Sequence, residues 1–151
     1  MDHEVERRYF IQKLVDFVQG LEEELTDLHK ADDSRVLFRV NGRPFEALAW
    51  INDESDMICI TTRTDDLLVE DFEEAVEFLK TNLETCWDYC VAVSPVDARY
   101  DISMALFVGG FSFESFESAI YNLLGCAEAI EKNYEERRSK EKTKEPGTVE
   151  E

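Results

Sequence analysis

The sequence predicts an α+β fold in which helices pack on a five-stranded antiparallel sheet, in the chain order α-β-β-β-α-β-β-α. Three segments repeat apolar residues at helical spacing, and five shorter segments have the alternation or composition of strands. The dipeptide Asn41-Gly42 separates the first two of these strands, and it is the strongest short-range indication of a β-hairpin.

The first helix is predicted from Glu4 to His29, because its apolar residues form one stripe at helical spacing. Gly20 lies inside this range as a weakness that a helix tolerates. Part of the stripe also has coiled-coil spacing, but it covers only about two heptads, so packing on a sheet is preferred. The stripe consists of Phe10, Leu14, Phe17, Val18, Leu21, Leu25 and Leu28.

The predicted hairpin joins residues 36–40 to residues 45–51. A two-residue turn at Asn41-Gly42 pairs Val40 with Arg43 and gives the whole hairpin its register. The residues that this register places on the core face are Val36, Phe38, Phe45, Ala47, Ala49 and Ile51. A third strand over residues 57–64 completes an antiparallel meander.

After the meander, the sequence predicts one helix and two more strands before the last helix. A helix over residues 69–83 has a stripe made of Leu68, Phe72, Ala75, Val76, Leu79 and Leu83. Strands are predicted over residues 87–93 and 100–108, and Gly109-Gly110 ends the second of them.

The last helix is capped by Ser112 or Ser115 and keeps its apolar face as far as Tyr134. Eleven of the seventeen residues from 135 to 151 are charged, so this tail has little apolar surface to bury. The sequence therefore predicts one domain over residues 1–134, followed by a disordered tail over residues 135–151 that is dispensable for folding.

The net charge is −19, and it is unevenly distributed. Residues 65–90 hold nine acidic residues against Lys80, whereas residues 34–64 hold four arginines against four acids. Phosphate backbones would be repelled, so neither nucleic acid nor a membrane is expected as a partner. The N-terminus is too charged for a secretory signal and no apolar run reaches about 20 residues, which predicts a cytoplasmic protein.

Residues typical of catalysis or metal binding do not form a recognisable pattern. His3 and His29 stand apart from other ligand types, and no nucleophile motif or phosphate-binding loop is present. The four cysteines contain no CxxC pair and are expected to be buried or half-buried thiols in a reducing compartment; they are Cys59, Cys86, Cys90 and Cys126. We expect no catalytic residue, no metal and no cofactor.

The element order, the small size and the acidity resemble the type III secretion chaperone-like superfamily. Within it, the segment YDISMALFVGGFSFESFESAIYNLLGCAEAIEKNY looks like the end of a YbjN-like domain, where a strand passes through a glycine turn into a closing helix. The resemblance implies a non-catalytic chaperone or adaptor that binds an extended segment of another protein, and often a homodimer. A regulatory or stress-associated domain that acts through itself or through a folded partner is the alternative. An enzyme ranks third.

Two sets of residues are candidates for contact with partners. Phe78 lies about 120° from the stripe of the second helix, so it is either exposed singly or used for self-association. Leu37, Leu48 and Trp50 share the strand face opposite the core. Either a helix or a second subunit covers this face, or it binds a partner segment with Trp50 as the main anchor.

Overall fold

The structure is a computed structural model that describes residues 3–65, 67, 72–97 and 99–143. Within them, four helices and six strands follow one another along the chain: α1 (His3–Gln19), β1 (Leu25–Lys30), β2 (Arg35–Val40), β3 (Arg43–Ile51), β4 (Asp56–Arg63), α2 (Phe72–Thr81), α3 (Leu83–Asp88), β5 (Ala92–Val96), β6 (Arg99–Phe107) and α4 (Phe113–Thr143). A 3₁₀ turn at Val108–Gly110 joins β6 to α4.

The strands form one sheet in the order β1-β2-β3-β4-β6-β5, and every neighbouring pair is antiparallel. The predicted α+β class and the antiparallel sheet are confirmed. The predicted number of five strands is wrong, because β1 adds a sixth strand at the edge of the sheet.

The extra strand comes from the region predicted as the end of the first helix. Helix α1 ends at Gln19, and the chain turns at Gly20, where a Cβ atom would lie 3.0 Å from the Phe113 ring of α4. Leu25 and Leu28 then enter β1 and pack against the core. Their three-residue spacing fits a strand because the pairing with β2 shifts between Thr26 and His29.

The central hairpin matches its predicted register. Val40 pairs with Arg43, and Phe38 pairs with Phe45. The six residues predicted for the core face are all buried. Both turn residues have positive φ, 52° at Asn41 and 84° at Gly42, as a type I′ turn requires.

The region after the meander differs more from its prediction. The predicted helix over residues 69–83 is α2 followed by the separate helix α3, and residues 69–71 lie outside the described residues. Trp87 lies in α3 and not in a strand. Helix α3 ends in a Schellman motif, since Cys90 N–H bonds to Trp87 O, Val91 N–H bonds to Cys86 O, and Cys90 has φ +57°. A cysteine in the position usually held by glycine hides this helix end from sequence analysis.

Helices α1 and α4 lie on the same side of the sheet and bury its core face. Helix α1 packs on β1, β2 and β3, and α4 packs on β4 and β6. The rings of Phe38 and Phe45 stack at 5.4 Å between their centroids, and Phe116 of α4 meets Phe38 at 6.4 Å. Burial of such side chains contributes roughly 1.5–3 kcal/mol each.

Helix α4 continues beyond the predicted domain end. Residues 135–143 are helical, so the helix runs nine residues past the end of the predicted domain. Arg137 lies over the Phe78 ring, 5.6 Å from its centroid, and therefore attaches the extension to α2. Residues 144–151 lie outside the described residues.

A half-buried ion pair joins the sheet to α4. Both guanidinium ends of Arg43 bond to the Glu131 carboxylate, at 2.8 and 2.7 Å, and the side chains are only 13% and 18% exposed. The same carboxylate accepts the Asp65 backbone N–H at 2.7 Å. Burial raises the pKa of Glu131, but the hydrogen bonds from Arg43 and Asp65 and the Arg43 charge together hold it below its ordinary value.

We expect Glu131→Gln to lower the free energy of unfolding by about 1–3 kcal/mol at pH 7, because Arg43 loses its charged partner. A carboxylate with a lowered pKa in the folded state stabilises the fold above its unfolded-state pKa. This stabilisation is lost as the pH falls through the lower folded-state pKa. The difference between the two proteins in urea unfolding should therefore shrink below about pH 4.5. Glu135→Gln, at an exposed position on the same helix, is the control; an equal loss in both variants would contradict the role of the pair.

Replacing Asn41-Gly42 by Val-Val should destabilise the hairpin, since β-branched residues do not adopt φ > 0 without strain. The thermal unfolding midpoint is the measurement. Asn41→Gly is the matched control, because it keeps the turn geometry and removes only the bonds of the Asn41 side chain to Glu23 and to the Glu24 N–H. An unchanged midpoint in the Val-Val variant would show that the turn does not set the register.

Candidate functional site

The face of the sheet opposite α1 and α4 is not covered by any helix within the described residues. Along β2, β3 and β4, buried side chains alternate with half-buried or exposed ones. The buried set faces the helices. The other set forms what we call the uncovered face: Leu37, Arg39, Glu46, Leu48, Trp50, Met57, Cys59, Thr61, Asp101, Ser103, Ala105 and Phe107.

One end of the uncovered face is apolar. Trp50 pairs with Met57 across β3 and β4, and Met57 pairs with Phe107 across β4 and β6. Trp50 is 48% exposed and Phe107 is 75% exposed. Leu48 and Cys59 form the next cross-strand pair. Large aromatic side chains exposed side by side on a rigid sheet are typical of a surface that contacts another molecule.

The three residues predicted to bind a partner lie on this face. Leu48 and Trp50 are two residues apart on β3, about 7 Å along the strand. Leu37 pairs with Glu46 on the neighbouring strand, so Leu37 and Leu48 are diagonal neighbours about 7–8 Å apart. The part of the chain that the structure describes provides no helix to cover them.

The other end of the uncovered face is a charged groove of about 650 Å³ that crosses five strands from β1 to β6. Its walls include Arg39, Pro44, Thr61, Arg63 and Asp101. The charges around it are partly paired within the chain. The ion pairs are Arg39 with Asp27 at 3.3 Å, Arg35 with Glu46 at 3.6 Å, and Arg99 with Asp101 at 3.9 Å.

The two edges of the sheet are poor templates for an added strand. Edge strand β1 is interrupted between Thr26 and His29, where Asp27 has φ +57°. Edge strand β5 contains Pro95, which has no N–H to donate. Bulges and prolines at edges prevent strand pairing between chains. Neither edge therefore offers an uninterrupted row of backbone groups to an added strand.

The angle of Phe78 on its helix predicts a position outside the core, but the structure places Phe78 inside the core. It is 1% exposed and packs on the rings of Tyr100 and Tyr134, with centroids 6.0 and 5.5 Å away. Tyr100 donates its hydroxyl to the Ala75 carbonyl, and burial raises the pKa of Tyr100 to about 12. The core extends around α2 here, so Phe78 is unavailable for self-association in this conformation.

The four cysteines differ more in burial than the sequence predicts. Cys86 and Cys126 are buried, and burial raises the pKa of Cys126 to about 12. Cys59 is half-buried on the uncovered face, and burial raises its pKa. Cys90 is exposed, which corrects the prediction that all four thiols are at least half-buried. Among the described residues, no three metal-ligating side chains cluster.

Phe107 and Trp87 are the two most exposed aromatic side chains among the described residues, and the sequence does not single out either. Phe107 lies on the opposite side of β6 from the predicted apolar row, a position that alternation alone would have indicated. Trp87, at 83% exposed, lies in α3, whereas the alternating polarity of residues 87–93 predicts a strand there. Nothing in the sequence at Cys90 indicates that a helix ends there and that the strand begins only afterwards.

Comparison with known proteins supports the fold alone. No family model and no curated protein matches the chain. A crystal structure of an uncharacterized protein from Methanothermobacter thermautotrophicus is similar, with a TM-score of 0.62 and 18% sequence identity. The match covers 87% of this chain and 98% of that chain. In the described residues, no helix is long and apolar enough to cross a membrane.

The burial of the thiols predicts their order of reaction. In native protein at pH 8, Cys90 should react first with a disulfide reagent such as Ellman's, Cys59 more slowly, and Cys86 and Cys126 only after unfolding. The absorbance of the released thiolate gives the number of cysteines that have reacted. Cys90→Ser should remove the fast phase; a fast phase that survives this change would show that another thiol is exposed.

Proposed function

We propose that this chain is a non-catalytic protein-binding domain of chaperone or adaptor type, and that its uncovered face holds a segment of another protein. The single observation that carries the proposal is the cross-strand row of Trp50, Met57 and Phe107. An apolar row on the outer face of a sheet is costly to leave in water, and no described element of the chain shields it.

The charged groove defines the kind of segment that fits. The groove spans five strands and therefore has a width of about 19 Å across the sheet, since neighbouring strands lie about 4.8 Å apart. That width is enough for about six residues of extended chain. The three carboxylates along it, Asp27, Glu46 and Asp101, are paired with arginines of the same chain, so the groove neither requires nor repels a strongly charged segment. The segment would place apolar side chains on Trp50 and Phe107 and polar ones in the groove.

Self-association is a second candidate, favoured by the charge on the uncovered face. The protein as a whole carries −19, so most of its surface repels a second copy. On the uncovered face the carboxylates of Asp27, Glu46 and Asp101 lie beside arginines. Two copies could therefore meet face to face without the repulsion that acts elsewhere. A regulatory role through a dimer is the functional form of this candidate.

The double variant Trp50→Ala with Leu48→Ala tests the face. We expect it to fold, because both side chains lie outside the core, and to lose at least about tenfold in affinity for any partner held by the face. Trp87→Ala is the matched control, since it removes the other exposed tryptophan at a site in α3. Circular dichroism checks folding, and quantitative capture from native lysate of the source organism compares the three proteins.

The location of the contact is tested by crosslinking. A photoreactive benzophenone amino acid in place of Phe107 should crosslink to the partner that the double variant loses, and the same amino acid in place of Trp87 should not. Sedimentation velocity distinguishes a second copy from another protein. If the double variant folds and retains every partner that wild type and the Trp87→Ala control capture, and its sedimentation is unchanged, the uncovered face is not a binding site.

A further inference from the structure

A second exposed apolar surface lies on α3, apart from the uncovered face. Leu83 is 58% exposed and Trp87 is 83% exposed, the largest exposed fraction of any large apolar side chain in the described residues. They are four residues apart, so they stand one above the other on the same side of the helix. Helix α3 packs against α4, on the helical side of the sheet.

Hydrogen bonds with two other helices fix the residue that precedes α3. Asn82, just before α3, is 1% exposed and donates its side-chain amide to the Phe78 carbonyl at 2.9 Å. Its side-chain oxygen accepts a bond from Asn133 of α4 at 2.7 Å. Cys86 is buried on the inner side of α3. Rotating Trp87 inward would break these contacts, so its exposure follows from how the helix is anchored.

The surroundings of this apolar pair are acidic. Leu83 and Trp87 are each followed in the chain by an acidic residue, Glu84 and Asp88. Of the described side chains near the pair, Glu84 and Asp88 are exposed on α3, and Glu77 is exposed on α2 with Lys80 bonded to it. A second copy would bring the same negative charge and be repelled. A cationic partner would be attracted, and the tryptophan face adds a cation–π contact with Lys or Arg.

We propose that α3 is a docking site for a basic amphipathic segment of another protein. Its apolar residues would cover Leu83 and Trp87, while its Lys or Arg side chains would meet Glu84 and Asp88. This site is independent of the uncovered face, because its residues lie on a different element, on the helical side, and carry acidic neighbours that are unpaired among the described residues, where the uncovered face has paired charges.

The test uses a synthetic probe, a fluorescein-labelled 14-residue peptide of Leu and Lys with apolar residues at helical spacing. Fluorescence anisotropy measures its affinity for the full chain. A peptide of the same composition in scrambled order and one with Glu in place of Lys are the peptide controls. Trp50→Ala is the matched protein control, and circular dichroism verifies that each variant is folded.

We expect Trp87→Ala to weaken binding of the patterned peptide at least about tenfold, and Trp50→Ala to leave it unchanged. Glu84→Gln with Asp88→Asn should weaken it several-fold and reduce its dependence on salt. In the Trp50→Phe variant, Trp87 is the single tryptophan, and its emission should shift to shorter wavelength when unlabelled peptide binds.

Four results would overturn the proposal. Equal binding of the scrambled peptide would show attraction by net charge alone. Unchanged affinity in Trp87→Ala, or no emission shift in Trp50→Phe, would show that Trp87 is not the anchor. A loss in Trp50→Ala as large as that in Trp87→Ala would place the peptide on the uncovered face.

Discussion

The structure depends on one constraint: both long helices pack on the same face of a single antiparallel sheet. Antiparallel sheets tolerate water on one face when the side chains there are suitably polar. Most of the outer side of this sheet meets that condition through arginines paired with carboxylates. The end that holds Trp50 and Phe107 does not. The core can be complete with the helices on one side, and the outer face is then free to serve a different purpose.

The ion pair of Arg43 with Glu131 connects the helical side of the sheet to its outer face. It fixes α4 to the hairpin and to the backbone just after β4, so it sets where the closing helix crosses the sheet. The Arg43 guanidinium also donates to the Arg63 carbonyl. Because Arg63 lies on the rim of the charged groove, the anchor on the helical side positions part of the outer face.

Charge divides the molecule into two chemically distinct surfaces. The uncovered face is internally paired, whereas α2 and α3 carry exposed carboxylates around an apolar pair. Each proposed surface has one exposed tryptophan, Trp50 or Trp87, at its centre. Under the two proposals, the uncovered face takes its partner through apolar contact, and α3 takes a partner that carries positive charge.

The sequence by itself determined the antiparallel class, the register of the central hairpin and the position of Leu37, Leu48 and Trp50 on one face. These features follow from local rules: alternation assigns each residue to a face, and Asn41-Gly42 sets the pairing. No longer-range information is needed for them.

The tertiary structure alone decided the sixth strand, the burial of Phe78 and the exposure of Trp87. Leu25 and Leu28 have helical spacing, and only the irregular pairing with β2 turns that spacing into an edge strand. Phe78 is buried because Tyr134, 56 residues further along the chain, packs against it. Trp87 is exposed because Asn133 fixes the residue before α3. In each case the deciding contact comes from a segment distant along the chain, which no local pattern encodes.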